Sequence, residues 1–189
     1  MPAVITLLRT QFKDDVELES SGGFQELERL SKSVEGSHRP TVWKRVTGAG
    51  YLTMTLFDSV EAAQQFQTTL TCSPGFEQMV QGLAEVPDFD EFEVLLTKGI
   101  APEDVPINGY CSVNSLVPEP GHAQEELVEA RYVLESLFQI EGFLGAFVGR
   151  SMVAVERLDS VAFWRDGEAA EKAIPIRVNT NLRLYRRVL

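Results

Sequence analysis

The sequence predicts an α+β protein built of two βαββαβ units packed sheet to sheet. Three observations carry this. First, strand-period and helix-period apolar patterns follow one another in the same order twice along the 189 residues. Second, a stretch with two prolines and two glycines, TKGIAPEDVPING (97–109), separates the two runs. Third, the run GFLGAFVGRS (142–151) is apolar on both faces of a strand and so needs cover on both. The halves are expected at 1–98 and 109–189, joined by 99–108.

In the first half, AVITLLR (3–9) is rich in β-branched residues and reads as a strand. SSGG breaks any long helix over 14–23. Phe24, Leu27, Leu30 and Val34 then recur at helical spacing and place a helix at about 22–35. After the loop GSHRP (36–40), the strands PTVWKRV (40–46) and YLTMTLF (51–57) flank TGAG as a hairpin. Asp58 or Ser59 caps a helix through SVEAAQQFQTTL. SPGFEQMVQGLAEV (73–86) forms a short helix opened by Pro74. DFDEFEVLL (88–96) alternates as a strand with a solvated acidic face.

The second half repeats the order. YCSVNSLV (110–117) is a strand, and PEPGH is a loop. Leu127, Ala130, Leu134, Leu137 and Glu141 mark a helical stripe within 121–140. GFLGAFVGRS pairs with LDSVAFW (158–164), DGEAAEKAI (166–174) is a short helix, and NLRLYRRVL (181–189) is the last strand. Alternation predicts that Phe143 and Phe147 point one way and Leu144, Ala146 and Val148 the other. This order is the ferredoxin-like split βαβ arrangement, whose helices cover one sheet face only. Packing the two bare faces together gives a pseudo-dimer within one chain.

Composition bounds the function. With 44% hydrophobic and 24% charged residues the chain can bury a core, which excludes a disordered protein. A net charge of −11 repels a phosphate backbone, so no nucleic-acid partner is expected. The one basic cluster, Arg183, Arg186 and Arg187 with Tyr185, alternates with Leu182, Leu184 and Val188 and reads as the polar face of a strand. No apolar run reaches the ~20 residues of a spanning helix, so no membrane partner is expected. MPAVITLLRTQF lacks the build of a signal peptide. Cys72 and Cys111 have no CxxC spacing, so reduced thiols in a cytoplasmic protein are expected, with no metal.

Several residues invite a functional reading. Asn114 stands inside a strand, where asparagine is depleted; its amide can orient a ligand or bond nearby backbone. Trp164 can wall a pocket or fill the helix–sheet core, and Trp43 in VWKRV reads as core. His38 and His122 read as solvent-facing loop histidines, and Cys111 as a small buried hydrophobe. No GxSxG or phosphate-binding glycine loop is present.

Asn114, IEGFLGAFV (140–148) and AFWRDGEAA (162–170) carry a resemblance to the antibiotic-biosynthesis monooxygenase superfamily. Over roughly 108–189 the chain is similar to the small bacterial haem-degrading monooxygenases. The resemblance implies a dimeric α+β barrel, here closed within one chain, with YLTMTLFDSVEAAQQF (51–66) in the matching place of the first half. It implies Asn114 and Trp164 as site residues, and a haem-ligand histidine near Ile174. No histidine stands there or anywhere after His122. In the first half the three positions hold Leu7 or a neighbour, Phe57 and Gln67.

What the resemblance implies is therefore a cofactor-independent monooxygenase acting on a small flat aromatic or quinol-like substrate. Asn114 would be the catalytic polar group, with Trp164 and Phe143 or Phe147 as substrate-binding walls. A non-catalytic ligand-binding or structural protein of the same fold is the alternative, and haem held through another donor such as tyrosine is a third. The expected partner is a small molecule, and the expected state a monomeric pseudo-dimer or a homodimer of it.

Overall fold

Alternation along each strand sets the architecture. The computed structural model describes residues 2–13, 22–154, 156–173 and 182–189. The first half supplies β1 (Val4–Thr10), β2 (Thr41–Arg45), β3 (Tyr51–Phe57) and β4 (Asp88–Gly99). The second supplies β5 (Tyr110–Leu116), β6 (Phe143–Ser151), β7 (Leu158–Trp164) and β8 (Arg183–Arg187). The helices are α1 (Gly23–Ser31), α2 (Val60–Thr71), α3 (Pro74–Gln81), α4 (Ala123–Leu137) and α5 (Gly167–Lys172). A 3-10 turn, Pro102–Asp104, lies in the connection between halves.

The strands close into one antiparallel barrel in the order β1-β3-β2-β8-β5-β7-β6-β4. The first half contributes β4-β1-β3-β2 and the second β8-β5-β7-β6, the same order within each. Two seams, β2–β8 and β4–β6, join them. The halves thus face one another across the barrel and are also hydrogen-bonded edge to edge, which leaves no open edge among the described strands.

Inward-facing residues fill the barrel. Leu7, Trp43, Met54, Phe92 and Phe163 are fully buried members of this core. The Trp43 and Phe163 rings stack at 5.7 Å across the two halves. On the outside, α1, α2 and α3 cover the first half with a cluster that includes Leu8, Phe24, Phe57, Phe66 and Met79. In the second half Leu134 and Leu137 of α4 and Ala169 of α5 pack on Ala146, Ala162 and Trp164.

Local chemistry fixes the helix starts. Ser59 accepts from Ala62 N–H at 3.1 Å, and Asp166 from Ala169 N–H at 2.9 Å. Ser73 caps α3, whose first turn holds Pro74. Asp58, the other candidate cap for α2, bonds His38 instead.

Some expectations are corrected. A β-bulge between Phe143 and Gly145 adds one residue to β6. Phe143 therefore turns to the helix side with Ala146 and Val148, while Leu144 joins Phe147 at the barrel interior. β8 is not a plain polar face: Tyr185 sits in the barrel core and Arg187 is 5% exposed. Arg187 Nη1 donates to the carbonyls of Pro102 at 3.3 Å, Glu103 at 3.0 Å and Val105, binding the connection to the barrel. The acidic run of β4 is not a solvated face either, since Asp90 and Glu91 are buried. α4 ends at Leu137, so Glu141 lies beyond it. Residues 14–21, which include the two serines of the SSGG break, and Ile174 lie outside the described residues.

Candidate functional site

The outward faces of β5, β7 and β6 and the inward face of α4 enclose a cleft of about 420 Å³. Strand alternation brings Asn114 and Leu116 of β5, Leu158, Ser160 and Ala162 of β7, and Ala146 and Val148 of β6 to its floor. Helical spacing brings Glu126, Ala130, Val133 and Leu137 to its roof, with Glu129 at its margin. Asn114 lies directly across the β5–β7 ladder from Ser160.

Asn114 is the polar focus of this mainly apolar space. Its Oδ1 is buried and has no hydrogen-bond partner. Such an orphaned acceptor costs about 1–3 kcal/mol. A ligand O–H or N–H in the cleft would satisfy it.

The four residues expected to form the site are not all brought together. Asn114 lines the cleft; Trp164, Phe143 and Phe147 do not. Trp164 follows Ala162 on the same strand face but is fully buried, its Nε1 donating to Ser112 Oγ at 3.0 Å. Phe143 packs edge-on against Trp164 with ring centroids 5.3 Å apart. Phe147 lies on the other side of the sheet, against Phe163. Trp164 and Phe143 thus form the packed ground beyond the floor, not a stacking wall.

Leu116, Ser160, Ala130 and Val133 line the cleft although the sequence reading assigns none of them to a site. The signal was present in strand parity from Asn114 and in the i, i+4, i+7 run Glu126, Ala130, Val133.

The matching face of the first half is packed among its described residues. Leu7, the position expected to match Asn114, faces the barrel interior. Its outward neighbour Leu8 is 5% exposed and sits in one cluster with Phe24, Phe57 and Phe66. Aromatic side chains under three helices occupy the place that the cleft holds in the second half.

Haem does not fit the cleft. Among the described residues lining it, none offers an imidazole, thiolate, thioether or phenolate. No group of three or more metal-ligating side chains stands together among the described residues. Burial pushes the Cys111 thiol well up from its ordinary value, and it lies in the barrel core, away from the cleft.

No protein-family model matches the chain, and no curated protein matches it significantly. Solved structures do. A candidate monooxygenase of Fusobacterium nucleatum superposes with a TM-score of 0.70 at 12% identity, over 98% of this chain and 91% of that one. An anthrone oxidase-like protein gives a TM-score of 0.64 at 16% identity, over 100% and 92%. A major regulator of staphylococcal pathogenesis gives 0.58 at 11% identity, over 97% and 99%. At these identities the likeness speaks for the fold. The chain carries the dimeric α+β barrel fold of monooxygenase-like proteins, with all eight strands supplied by one polypeptide.

Proposed function

We propose that the cleft beneath α4 binds a small flat aromatic or quinol-like molecule and that the protein oxygenates it with O2 without a bound metal or flavin. The unpartnered, buried Oδ1 of Asn114 in a mainly apolar cleft carries this reading. That oxygen accepts a hydrogen bond from a substrate hydroxyl and fixes the ring against Ala146, Val148 and Ala162. The apolar floor keeps water from the reacting carbon. The reaction balances without an added reductant: a ring C–H of a phenol becomes a quinone C=O, one oxygen atom enters the ring and the other leaves as water. The substrate supplies all four electrons. Trp164 acts through packing, holding Ser112 two residues before Asn114 on the same strand face. The two unpaired thiols, Cys72 and Cys111, suit a reducing cytoplasm.

A second reading, ligand binding without catalysis, draws on the placement of the acids. Glu126 and Glu129 come from α4, and Asp159 is engaged by Arg157 and Ser115, so among the described residues no uncommitted base stands beside Asn114 on the floor. The fold also serves a regulator, and fold alone does not fix function. Oxygen uptake with a panel of phenols, quinols and anthrones, measured alongside binding, separates the two. Quinone formation that falls about tenfold or more in Asn114→Ala, with unchanged circular dichroism, supports the enzyme. Binding without oxygen uptake supports the second reading, and no binding at all defeats both.

A further inference from the structure

The two ends of the barrel differ in chemistry. Along inward-facing rows, β1 passes from Leu7 to Arg9, β2 from Trp43 to Arg45, β4 from Phe92 back to Asp90 and Asp88, and β8 from Tyr185 back to Arg183. All four rows change from apolar to charged at the same mouth. A cavity of about 510 Å³ opens there, distinct from the cleft beneath α4.

Four arginines line this cavity, Arg9, Arg45, Arg157 and Arg183, against two aspartates, Asp88 and Asp90. The excess is positive, in a chain whose net charge is −11. The carboxylates are already engaged. Arg9 Nη1 lies 2.5 Å from Asp90 Oδ2 and 2.9 Å from Asp88 Oδ2. Arg157 pairs with Asp90 and, at 3.0 Å, with Asp159, which also accepts from Ser115 Oγ at 2.6 Å. This network fixes Arg9 and Arg157. It leaves three donors uncommitted among the described residues. Arg9 Nε is buried without a hydrogen-bond partner. Arg45 and Arg183 have exposed side chains and no ion-pairing carboxylate.

We propose that the barrel mouth binds a small molecule bearing a carboxylate or phosphate group, with Arg45 and Arg183 closing on it above the Arg9–Asp90–Arg157 network. A cationic pocket whose own acids are spoken for recognises an oxyanion by charge-assisted hydrogen bonds. Arg9, held in place by Asp88 and Asp90, loses little freedom on binding. The site is independent of the reading given to Asn114.

Isothermal titration calorimetry of the full chain with inorganic phosphate and with malonate tests this, at fixed ionic strength set with sodium chloride. The expected result is one-site, saturable binding of at least one anion. It should weaken about tenfold or more in the double variant R45Q/R183Q and stay unchanged in N114A. The preferred anion tells whether the natural group is a phosphate or a carboxylate. Both replaced arginines are exposed, and circular dichroism checks that the variant keeps its fold; if the double variant unfolds, R45Q and R183Q are titrated singly and each should weaken binding. Heats no larger than those of added chloride, or folded variants that bind as the wild type does, overturn the proposal.

Discussion

His38 Nδ1 lies 2.6 Å from Glu103 Oε1, which ties the approach to β2 in the first half to the connection between halves. Its Nε2 lies 2.9 Å from Asp58. The imidazole is thus clasped by two carboxylates. Burial by itself would lower the His38 pKa, but the hydrogen bonds to Asp58 and Glu103 outweigh it and raise the value.

The sign of the resulting pH dependence follows. A raised folded pKa means that the protonated imidazole stabilises the fold. That contribution is full below the unfolded value of about 6.5 and is lost as pH rises through the folded value. The ring is a third exposed, so solvent screening limits the effect to about 0.5–1 kcal/mol. Urea unfolding midpoints should fall between about pH 6 and about pH 9 in the wild type. They should change less over that range in His38→Gln. Equal slopes for the two proteins would show that the clasp contributes nothing.

Asp90 predicts the opposite trend at low pH. Burial would raise its pKa, but hydrogen bonds from Arg9 and Arg157 outweigh this and lower it. Its contribution is present above the unfolded value of about 3.9 and is lost as pH falls through the lower folded value. Asp90→Asn leaves Arg9 and Arg157 facing a neutral amide in a largely buried setting. The expected cost is about 3 kcal/mol, read by urea unfolding near neutral pH. A loss within experimental error would mean that water already screens the pair.

Local pattern made much of this molecule legible. Alternation and turn residues placed the elements of both halves, and Asn114 stood out because an amide is unusual between Val113 and Ser115 in a strand. What pattern misses is whatever depends on distant partners. The seams β2–β8 and β4–β6 pair residues far apart in sequence, so periodicity is silent on them. The bulge after Phe143 changes the face of Phe143 and Leu144 without changing their hydrophobicity. Arg187 looked like surface until the carbonyls of Pro102, Glu103 and Val105 were seen around it. Asp90 looked solvated until Arg9 and Arg157 closed on it.

Asn114 sets function against stability. Its Oδ1 is a buried acceptor without a partner, so replacing it by a similar-sized apolar side chain removes a penalty. Asn114→Leu should raise stability by about 1 kcal/mol while abolishing ligand binding in the cleft. Thermal unfolding of the two proteins without ligand checks the first part, and titration with a phenolic ligand the second. A clear loss of stability would mean that the amide supports the fold, and the cleft would lose its best polar anchor.

The β4–β6 seam rests on a glycine. Gly149 lies opposite Val94 in the ladder, and a Cβ on it would stand 2.0 Å from the carbonyl oxygen of Glu93 and 2.6 Å from the Phe92 ring. Neither neighbour can retreat freely: Glu93 belongs to the β1–β4 ladder, and Phe92 is fully buried in the barrel core. Gly149→Ala must therefore push the two halves apart along one closing seam. Overpacking of this kind costs about 1–3 kcal/mol. Because the seam also forms a sheet edge once parted, amide hydrogen exchange should accelerate in β4 and β6 more than in the β2–β8 pair. A variant with unchanged stability and uniform exchange would show that the seam can take up a methyl group, and that barrel closure is looser there than the backbone contacts imply.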